Sequence, residues 1–274
     1  MKNILITGAT GFVGKHVVNA LTDTDTKIRA VVRRPKDNGQ ISQKGIDEVI
    51  ETNDLFSENE NWWADICKDI DIIIHLAWYA EPGKYLQSSK NIDCLSGTLQ
   101  LAKGAVSAGV KRFVGIGTCF EYDLSDGLLS TDTPLKPLTP YAGAKVATYS
   151  ALSQYLPEEK VEFLWGRLFY LYGEGEDKRR LVPFIKSRLS EGKVADLTSG
   201  NQIRDFLDVK DAAQMIAELA LGNEQGAINI CSGEPITVRQ LAEKIADEYG
   251  RRDLLNFGAR ADNHMDPPKV VGVL

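Results

Sequence analysis

Three glycines near the start of the chain limit its fold more than any other feature. Gly8, Gly11 and Gly14 follow an apolar stretch, Asn3–Thr7, and accompany the start of an amphipathic one, Phe12–Leu21. Glycines between a strand and a helix permit a tight turn and let the backbone approach a pyrophosphate at the positive end of the helix. A glycine spacing alone is weak evidence, so the pattern predicts a dinucleotide-binding loop only if more strands and helices follow.

The first two-thirds of the chain continue this alternation of strands and helices. Further predicted strands are Lys27–Val32, Asp71–His75, Arg112–Ile116 and Glu162–Gly166, and the helical stretches between them include Thr98–Ala108 and Tyr141–Leu156. Near-continuous apolar strands that alternate with helices indicate a parallel sheet covered on both faces. We therefore predict an α/β fold with a doubly wound parallel sheet, the Rossmann fold.

After Gly173 the alternation becomes less regular. A charged stretch, "GEGEDKRR", precedes three helical patterns at Leu181–Gly192, Asp208–Leu221 and Val238–Tyr249. We predict a dinucleotide-binding domain over residues 1–166, with a return segment at about 206–231. Residues 167–205 and 232–274 are expected to form a smaller substrate-binding lobe at the carboxy-terminal end.

Composition excludes several classes of partner. The chain has 274 residues and a formal net charge of −6, so no basic patch for a phosphate backbone is expected. No apolar run approaches the ~20 residues that cross a bilayer. The cysteines at positions 67, 94, 119 and 231 lack the spacing of a disulfide framework or a metal site. These features predict a reduced, cytoplasmic protein with no nucleic-acid partner, no membrane partner and no metal.

The end of the second predicted strand bears on the choice of cofactor. The strand ends in "RAVVRRP", where an acidic residue would bind a ribose 2′-hydroxyl and an arginine would accommodate a 2′-phosphate. Arg33 is the predicted contact, so the sequence favours NADP (as NADPH) over NAD. The alternative is that Arg33 and Arg34 are solvated loop charges.

Two further stretches fit a bound dinucleotide. "NDL" (Asn53–Leu55) follows the third strand, where Asp54 can meet the adenine ring. "HLAW" (His75–Trp78) ends the fourth strand, where small residues let the backbone lie against the dinucleotide, and His75 is interpreted as a packed histidine.

A tyrosine, a lysine and a threonine complete the predicted site. "PYAGAK" places Tyr141 and Lys145 four residues apart, on one face of a helix that Pro140 helps to start. A free tyrosine has a pKa near ~10, and a nearby ammonium would lower it. Thr118, at the strand end in "VGIGTCFEYD", could hold a substrate carbonyl against the tyrosine. The predicted cofactor-binding residues are Gly8, Thr10, Gly11, Phe12, Val13, Gly14, Arg33, Asp54, Leu55, Leu76, Ala77, Trp78, Tyr141 and Lys145.

The motifs "TGATGFVG", "NDL", "HLAW", "GTCFEYD", "YAGAK" and "IRDFLDVKD" resemble those of the extended short-chain dehydrogenase/reductases, the NAD-dependent epimerase/dehydratase family. The resemblance extends from residue 1 to about 270. It implies that Thr118, Tyr141 and Lys145 are catalytic and that Arg204 meets the diphosphate of a nucleotide sugar. A homodimer is also expected.

The neighbours of Thr118 narrow the expected reaction. The family's 4,6-dehydratases carry an Asp-Glu pair where this chain has Cys119 and Phe120, so dehydration is not expected. The epimerase-reductases that make GDP-fucose have a cysteine two places after the hydroxyl and a histidine beyond the "YG". Here those positions hold Phe120 and Gly175, and the histidines lie at positions 16, 75 and 264. Cys119 is interpreted as a buried packing residue, with a chemical role as the alternative.

"EDKRRLVPF", "GNQIRDFLDVKD" and "LNFGARADN" resemble reductases of nucleotide-activated 4-keto-6-deoxyhexoses. The implied reaction is NADPH-dependent reduction of the C4 ketone, with a dTDP-linked substrate favoured, for surface polysaccharides such as lipopolysaccharide. Tyr170 stands where many relatives have an asparagine. Two alternatives remain. A 4-epimerase usually uses NAD, and the arginines after the second strand argue against NAD. A non-catalytic NAD(P)-sensing protein would not need Tyr141 and Lys145. The predicted substrate-binding residues are Thr118, Cys119, Tyr170, Arg179, Arg180, Arg204 and Arg260.

Overall fold

The computed structural model describes residues 1–34, 44–263 and 266–274. The strands are β1 (Lys2–Thr7), β2 (Thr26–Arg33), β3 (Glu48–Thr52), β4 (Ile72–His75), β5 (Arg112–Thr118), β6 (Leu128–Leu129), β7 (Glu162–Leu168), β8 (Tyr170–Tyr172), β9 (Ala195–Leu197), β10 (Ile203–Asp208), β11 (Gly226–Ile230), β12 (Pro235–Thr237), β13 (Leu255–Phe257) and β14 (Lys269–Gly272). The α-helices are α1 (Phe12–Leu21), α2 (Glu60–Ile66), α3 (Lys90–Ala108), α4 (Pro140–Glu158), α5 (Leu181–Ser190), α6 (Val209–Leu221) and α7 (Val238–Tyr249).

A seven-stranded sheet in the order β11-β7-β5-β4-β1-β2-β3 forms the centre of the molecule. Each pair of neighbours in it is parallel. Helices α1 and α6 cover one face, and α2, α3 and α4 cover the other. This arrangement confirms the predicted doubly wound sheet.

The first strand shows how the sequence produces two covered faces. Ile4 and Ile6 lie in the apolar cluster under α1 and α6, whereas Leu5 lies in the cluster on the opposite face. Side chains alternate between the faces of a strand, so a strand buried on both sides must be apolar at every position. The carboxyl end of β1 lies between those of β2 and β4, where the direction of winding changes and open α/β sheets bind ligands.

A second, smaller group of elements follows in the carboxy-terminal part. Strands β12, β10, β14 and β6 form a sheet that β8 joins through β10, and β9 pairs with β13. Helices α5 and α7 pack together through Val182, Ile185 and Ile245. Helix α6 and strand β11 lie instead against the central sheet, so the chain returns to that sheet between β10 and β12.

Several elements differ in length from the predictions, and helix α3 differs most. Helix α3 begins at Lys90 rather than Thr98 because polar and small residues of its first two turns, Asn91 and Gly97, are buried. A Cβ at position 97 would overlap the backbone of Phe56, so close helix packing replaces the expected apolar pattern there. Strand β5 extends two residues beyond Ile116, to Thr118. Within the described residues, no helix is long and apolar enough to cross a bilayer.

Candidate active site

The glycine loop leaves β1 in a turn that requires glycine. Gly8 has φ +77°, and a Cβ there would lie 2.8 Å from the backbone nitrogen of Ala77. A Cβ at Gly14 would overlap the carbonyl oxygen of Gly8. The loop closes through the Gly11 amide, which donates to the Gly8 carbonyl at 3.0 Å. Both close approaches bring the loop against β4 and α1, as a dinucleotide loop requires.

The beginning of α1 is suited to a phosphate group. Gly11 is its N-cap, and among the described residues no side chain caps the first turn. Amide groups at a helix start are therefore available to an anion. A cavity of about 450 Å³, called here the cofactor cavity, lies beside this loop. Its lining comprises Gly8, Gly11, Phe12, Val13, Gly14, Leu76, Ala77, Trp78, Ala80, Pro82, Gly175, Asp177 and Arg180.

Six residues predicted to contact the cofactor do not line the cofactor cavity: Thr10, Arg33, Asp54, Leu55, Tyr141 and Lys145. Thr10 is exposed on the glycine loop, and Arg33 is exposed at the end of β2. Asp54 caps the short 3-10 helix Leu55–Ser57 and accepts from the Phe56 amide at 3.1 Å. Arg33 ends β2 and pairs in register with Thr52, which ends the parallel strand β3. Arg33 and Asp54 therefore lie at the same edge of the sheet as Gly8, which follows β1.

Lys145 is buried in the first half of α4. Its Nζ donates to the carbonyl oxygen of Ile116 at 2.5 Å and lies 3.7 Å from the centroid of the Trp78 ring. Burial lowers the pKa of Lys145 to about 7, and the carboxylate of Glu121 acts in the opposite direction. The charge of this lysine at neutral pH therefore depends on its surroundings.

Tyr141, one turn earlier on α4, is enclosed by aromatic rings. The centroid of its ring lies 4.8 Å from that of Tyr85 and 6.4 Å from that of Trp78. Burial raises the pKa of Tyr141 above its usual value, and a side-chain hydrogen bond with Thr118 opposes this only in part. Desolvation dominates in the unliganded site, so the expectation that Lys145 lowers this pKa stays a prediction. Tyr141 is therefore a protonated phenol at neutral pH.

Thr118 ends β5 and caps the short 3-10 helix Cys119–Glu121. Its Oγ1 accepts from the Phe120 amide at 3.3 Å, and its own amide donates to Glu121 Oε1 at 2.8 Å. This reciprocal pair is a capping box, which holds the first turn from both sides. The position of the Thr118 hydroxyl is thus determined by its backbone contacts.

A second cavity of about 280 Å³, called here the catalytic pocket, brings most of the predicted catalytic and substrate residues together. The predicted members of its lining are Thr118, Cys119, Tyr141, Lys145, Tyr170 and Arg180, and further members include Tyr85, Phe120 and Phe169. It shares Phe12, Val13, Leu76, Trp78, Ala80 and Arg180 with the cofactor cavity. The two spaces therefore adjoin, as hydride transfer requires.

Cys119 and His75 are buried and uncharged. Burial raises the pKa of the Cys119 thiol to about 12, so no thiolate forms at neutral pH. His75 bonds Thr7 at 2.8 Å and Thr98 at 2.9 Å, and burial lowers its pKa to about 3. His16 bonds the Glu174 carbonyl at 2.8 Å, and His264 lies outside the described residues.

The predicted arginines lie in three places. Arg180 lines both cavities and pairs with Glu176 at 3.1 Å. Arg179 and Arg260 line a separate pocket, where the guanidinium carbon of Arg260 lies 4.8 Å from the Phe184 ring centroid.

Arg204 is only 2% exposed and lies outside the lining of these three cavities. Its Nη2 lies 2.7 Å from Asp266 Oδ2, and its guanidinium carbon lies 5.3 Å from the Tyr170 ring centroid. Since Tyr170 lines the catalytic pocket, Arg204 stands directly behind that wall.

Two groups of residues near the site were not predicted from the sequence. Tyr85 contacts the catalytic tyrosine from a short 3-10 helix, Tyr85–Gln87. Glu121 and Arg167 form a buried ion pair behind Thr118, with Nε and Oε2 2.7 Å apart. In the sequence, a carboxylate between two aromatic residues, Phe120 and Tyr122, was the feature that could have indicated this ion pair.

Comparison with known proteins identifies the family of this chain. The sequence model of the NAD dependent epimerase/dehydratase family matches residues 4–231. The chain belongs to this family. It is an enzyme of the extended short-chain dehydrogenase/reductase type.

Two curated relatives are similar over nearly the whole chain. A dTDP-6-deoxy-L-talose 4-dehydrogenase (NAD(+)) from Aggregatibacter actinomycetemcomitans is 27% identical over 252 residues, which are 90% of each protein. A dTDP-4-dehydro-6-deoxyglucose reductase from Escherichia coli is 24% identical, over 93% of this chain and 84% of that protein.

Among solved structures, MoeE5 in complex with UDP-glucuronic acid and NAD superposes with a TM-score of 0.82 at 27% identity. The match covers 99% of this chain and 90% of MoeE5. In the part of the chain that the structure describes, no cluster of three or more His, Cys, Asp or Glu residues could hold a metal ion.

Proposed function

We propose that the enzyme reduces the C4 ketone of a nucleoside-diphosphate-4-keto-6-deoxyhexose with NADPH, and that a dTDP-linked sugar is the favoured substrate. The product would supply surface polysaccharides such as lipopolysaccharide. The observation that carries this proposal is that Thr118, Tyr141 and Lys145 line one pocket that adjoins a glycine-loop cavity.

The proposed chemistry divides the work among these residues. NADPH, when bound, supplies the hydride for C4. Thr118 and Tyr141 would hold the carbonyl oxygen between their hydroxyls, and the Tyr141 phenol would give it a proton as the C–H bond forms. Lys145, as an ammonium ion, would stabilise the resulting phenolate. Ketone, NADPH and one proton together give the alcohol and NADP⁺.

The lining of the catalytic pocket favours simple reduction over dehydration. Elimination of water needs an added acid and base beside the threonine, and the positions that follow Thr118 hold Cys119 and Phe120. Among the described residues that line this pocket, none is a carboxylate or a histidine. Burial keeps the Cys119 thiol uncharged, with a pKa of about 12.

One observation favours the reductase over a 4-epimerase. The exposed Arg33 at the end of β2 suits a 2′-phosphate. In contrast, the talose 4-dehydrogenase is named for NAD(+), and the MoeE5 structure contains NAD, so the preference for NADP is tested directly below.

The assay that tests the proposal follows NADPH oxidation by absorbance with dTDP-, GDP- and CDP-linked 4-keto-6-deoxyhexoses. Turnover should be fastest with the dTDP sugar and should cease in Tyr141→Phe, the control for contaminating reductases. Tightly held NAD and interconversion of sugars without added cofactor would instead identify a 4-epimerase. Cofactor binding without turnover of any of the three sugars would favour the sensing protein and contradict the reductase.

A homodimer and a cytoplasmic location stay predictions. Sedimentation equilibrium of the purified protein tests the first, because a dimer has twice the 30.2 kDa mass of the chain. Cell fractionation tests the second.

A further inference from the structure

A buried ion pair lies behind the wall of the catalytic pocket, away from the substrate. Glu121 is 0% exposed and Arg167 is 1% exposed, and the carboxylate also accepts from Trp165 Nε1 at 3.1 Å. Burying two charges carries a desolvation cost that well-packed apolar residues would avoid. A well-packed apolar pair would stabilise the fold about as well as this ion pair. The position of the ion pair next to Thr118 and near Lys145 therefore requires another explanation.

We propose that Glu121 is a positioning residue for the reduction, which fixes Thr118 through its amide and keeps Lys145 protonated through the negative charge of its carboxylate. The role in turnover rests on the proposed function, whereas the effect on Lys145 concerns the protein alone. Glu121 does not line the catalytic pocket, so it acts only through these two residues.

The contact with Thr118 is direct and rigid. Glu121 Oε1 accepts from the Thr118 amide at 2.8 Å. The same residue, Thr118, carries the hydroxyl that would meet the substrate. Gly117 makes room for this contact, because a Cβ there would overlap both the Glu121 carboxylate and the Trp165 ring. The carboxylate therefore determines where β5 ends and where the Thr118 hydroxyl lies.

A hydrogen-bonded chain holds the carboxylate in place from the other side. Arg167 donates to Glu121 Oε2 at 2.7 Å and to the Tyr122 hydroxyl at 3.0 Å. That hydroxyl donates to Asn229 at 2.7 Å, and Asn229 donates in turn to the Leu129 carbonyl at 2.7 Å. The chain links β5, β7, β11 and β6, so Glu121 cannot turn away without breaking contacts between strands.

The charge of Glu121 acts on Lys145 with few competitors. Lys145 Nζ lies 5.6 Å from the centroid of the Trp165 ring, whose Nε1 donates to Glu121 at 3.1 Å. The titratable groups that interact with Lys145 are Glu121, Cys94 on α3 and His75 on β4. Burial raises the pKa of Cys94 to about 11 and lowers that of His75 to about 3, so both are neutral at pH 7. Burial likewise keeps Tyr141 protonated. Glu121 therefore supplies the negative charge that favours the ammonium form of Lys145.

The test compares Glu121→Gln, which keeps the size of the side chain and an oxygen for the Thr118 amide, with Glu162→Gln. Glu162 on β7 pairs with the buried Arg112 on β5 at 2.7 Å, at the amino-terminal ends of these strands. The Glu121–Arg167 pair lies at the opposite ends, with Glu121 in the 3-10 helix that follows β5. Both variants lose one ion pair. A purely structural role for Glu121 would lower the melting temperature in both and change neither pH profile.

Activity needs protonated Lys145, so kcat/KM should fall as the pH rises through the pKa of this lysine. Loss of an opposite charge nearby shifts a pKa by about one unit or more. In Glu121→Gln the alkaline limb should therefore move to lower pH by about one unit, and kcat at pH 8 should fall about tenfold or more. NADPH affinity should stay unchanged in both variants, and Glu162→Gln should keep the wild-type profile.

A measurement without substrate separates this inference from the proposed function. NMR titration of isotope-labelled lysines in the unliganded protein, with Lys145 assigned by its loss in Lys145→Arg, should give a lower pKa for Lys145 in Glu121→Gln. If Arg167 without its partner prevents folding, the double variant Glu121→Gln/Arg167→Gln removes both charges and should show the same direction of shift. An unchanged Lys145 titration and an unchanged pH profile in a folded variant would overturn the inference, whichever substrate the wild-type enzyme reduces.

Discussion

The floor and the rim of the catalytic cleft hold their polar side chains in different ways. On the floor, Thr118 and Lys145 are buried, and their hydrogen bonds go to the backbone and to Glu121. On the rim, Arg180 has a side chain 43% exposed and pairs with Glu176 of its own loop.

This difference separates two tasks. A buried, hydrogen-bonded group keeps its geometry when a ligand arrives, which suits a group that acts on the reacting atoms. The partly exposed Arg180 guanidinium can turn toward a diphosphate, which suits a group that binds the substrate away from the reacting atoms. We therefore expect changes in the floor to affect kcat and changes of Arg180 to affect KM.

The largest effect is expected for Tyr141→Phe. This change removes the proton donor and leaves the ring, so kcat should fall by about 10²- to 10⁴-fold. Cofactor affinity, measured by fluorescence titration, should remain near that of the wild type. Substantial turnover in this variant would mean that another group donates the proton.

Thr118 tests the floor with a matched pair of variants. Thr118→Ala should lose most of the turnover, about tenfold to a hundredfold, because one hydrogen bond to the reacting oxygen is lost. Thr118→Ser keeps the hydroxyl and should retain substantial activity. Equal losses of kcat in the two variants would show that the methyl group, not the hydroxyl, matters at this position.

Arg204→Ala tests the assignment of the substrate diphosphate. Loss of a charge-assisted contact worth ~1.5–3 kcal/mol should raise the KM of the sugar nucleotide about tenfold to a hundredfold. The affinity for NADPH should hardly change, because its pyrophosphate is expected at the glycine loop. Arg252→Ala removes an exposed arginine that pairs with Asp247 and serves as the control. A fall in kcat at constant KM would assign Arg204 to the floor instead.

Arg33→Asp tests the choice of cofactor. Repulsion of the 2′-phosphate should weaken NADPH binding about tenfold or more, while NADH binding should change little. Lys27→Asp makes the same charge change at the exposed amino end of β2 and should affect neither cofactor. Equal losses for NADPH and NADH in Arg33→Asp would contradict the preference for NADP.

The smallest effect is expected for Cys119→Ala. The thiol is buried and uncharged, so kcat should change by no more than about twofold while the melting temperature falls slightly. The control is Cys67→Ala, in the apolar cluster between the central sheet and α2, α3 and α4. This variant should lower the melting temperature to a similar degree. A collapse of kcat in folded Cys119→Ala would give this cysteine a chemical role.

The sequence by itself determined the central sheet and the glycine loop. Apolar runs with the period of strands and helices are local signals, and steric limits require glycine at Gly8 and Gly14 whatever surrounds them. The positions of Thr118, Tyr141 and Lys145 could also be predicted from the sequence. Thr118 lies at the end of a strand, and Tyr141 and Lys145 lie one turn apart on a helix, and both features depend only on neighbouring residues.

Only the tertiary structure decided how the site is charged. Glu121 and Arg167 are 46 residues apart, and no local pattern predicts that they meet behind Thr118. The structure also separated Arg180, in the catalytic cleft, from its neighbour Arg179, in another pocket. The pKa values of Tyr141 and Lys145 moved away from the values of free side chains because burial outweighs nearby charges. Burial arises from many distant segments packing together, so sequence spacing alone does not report it.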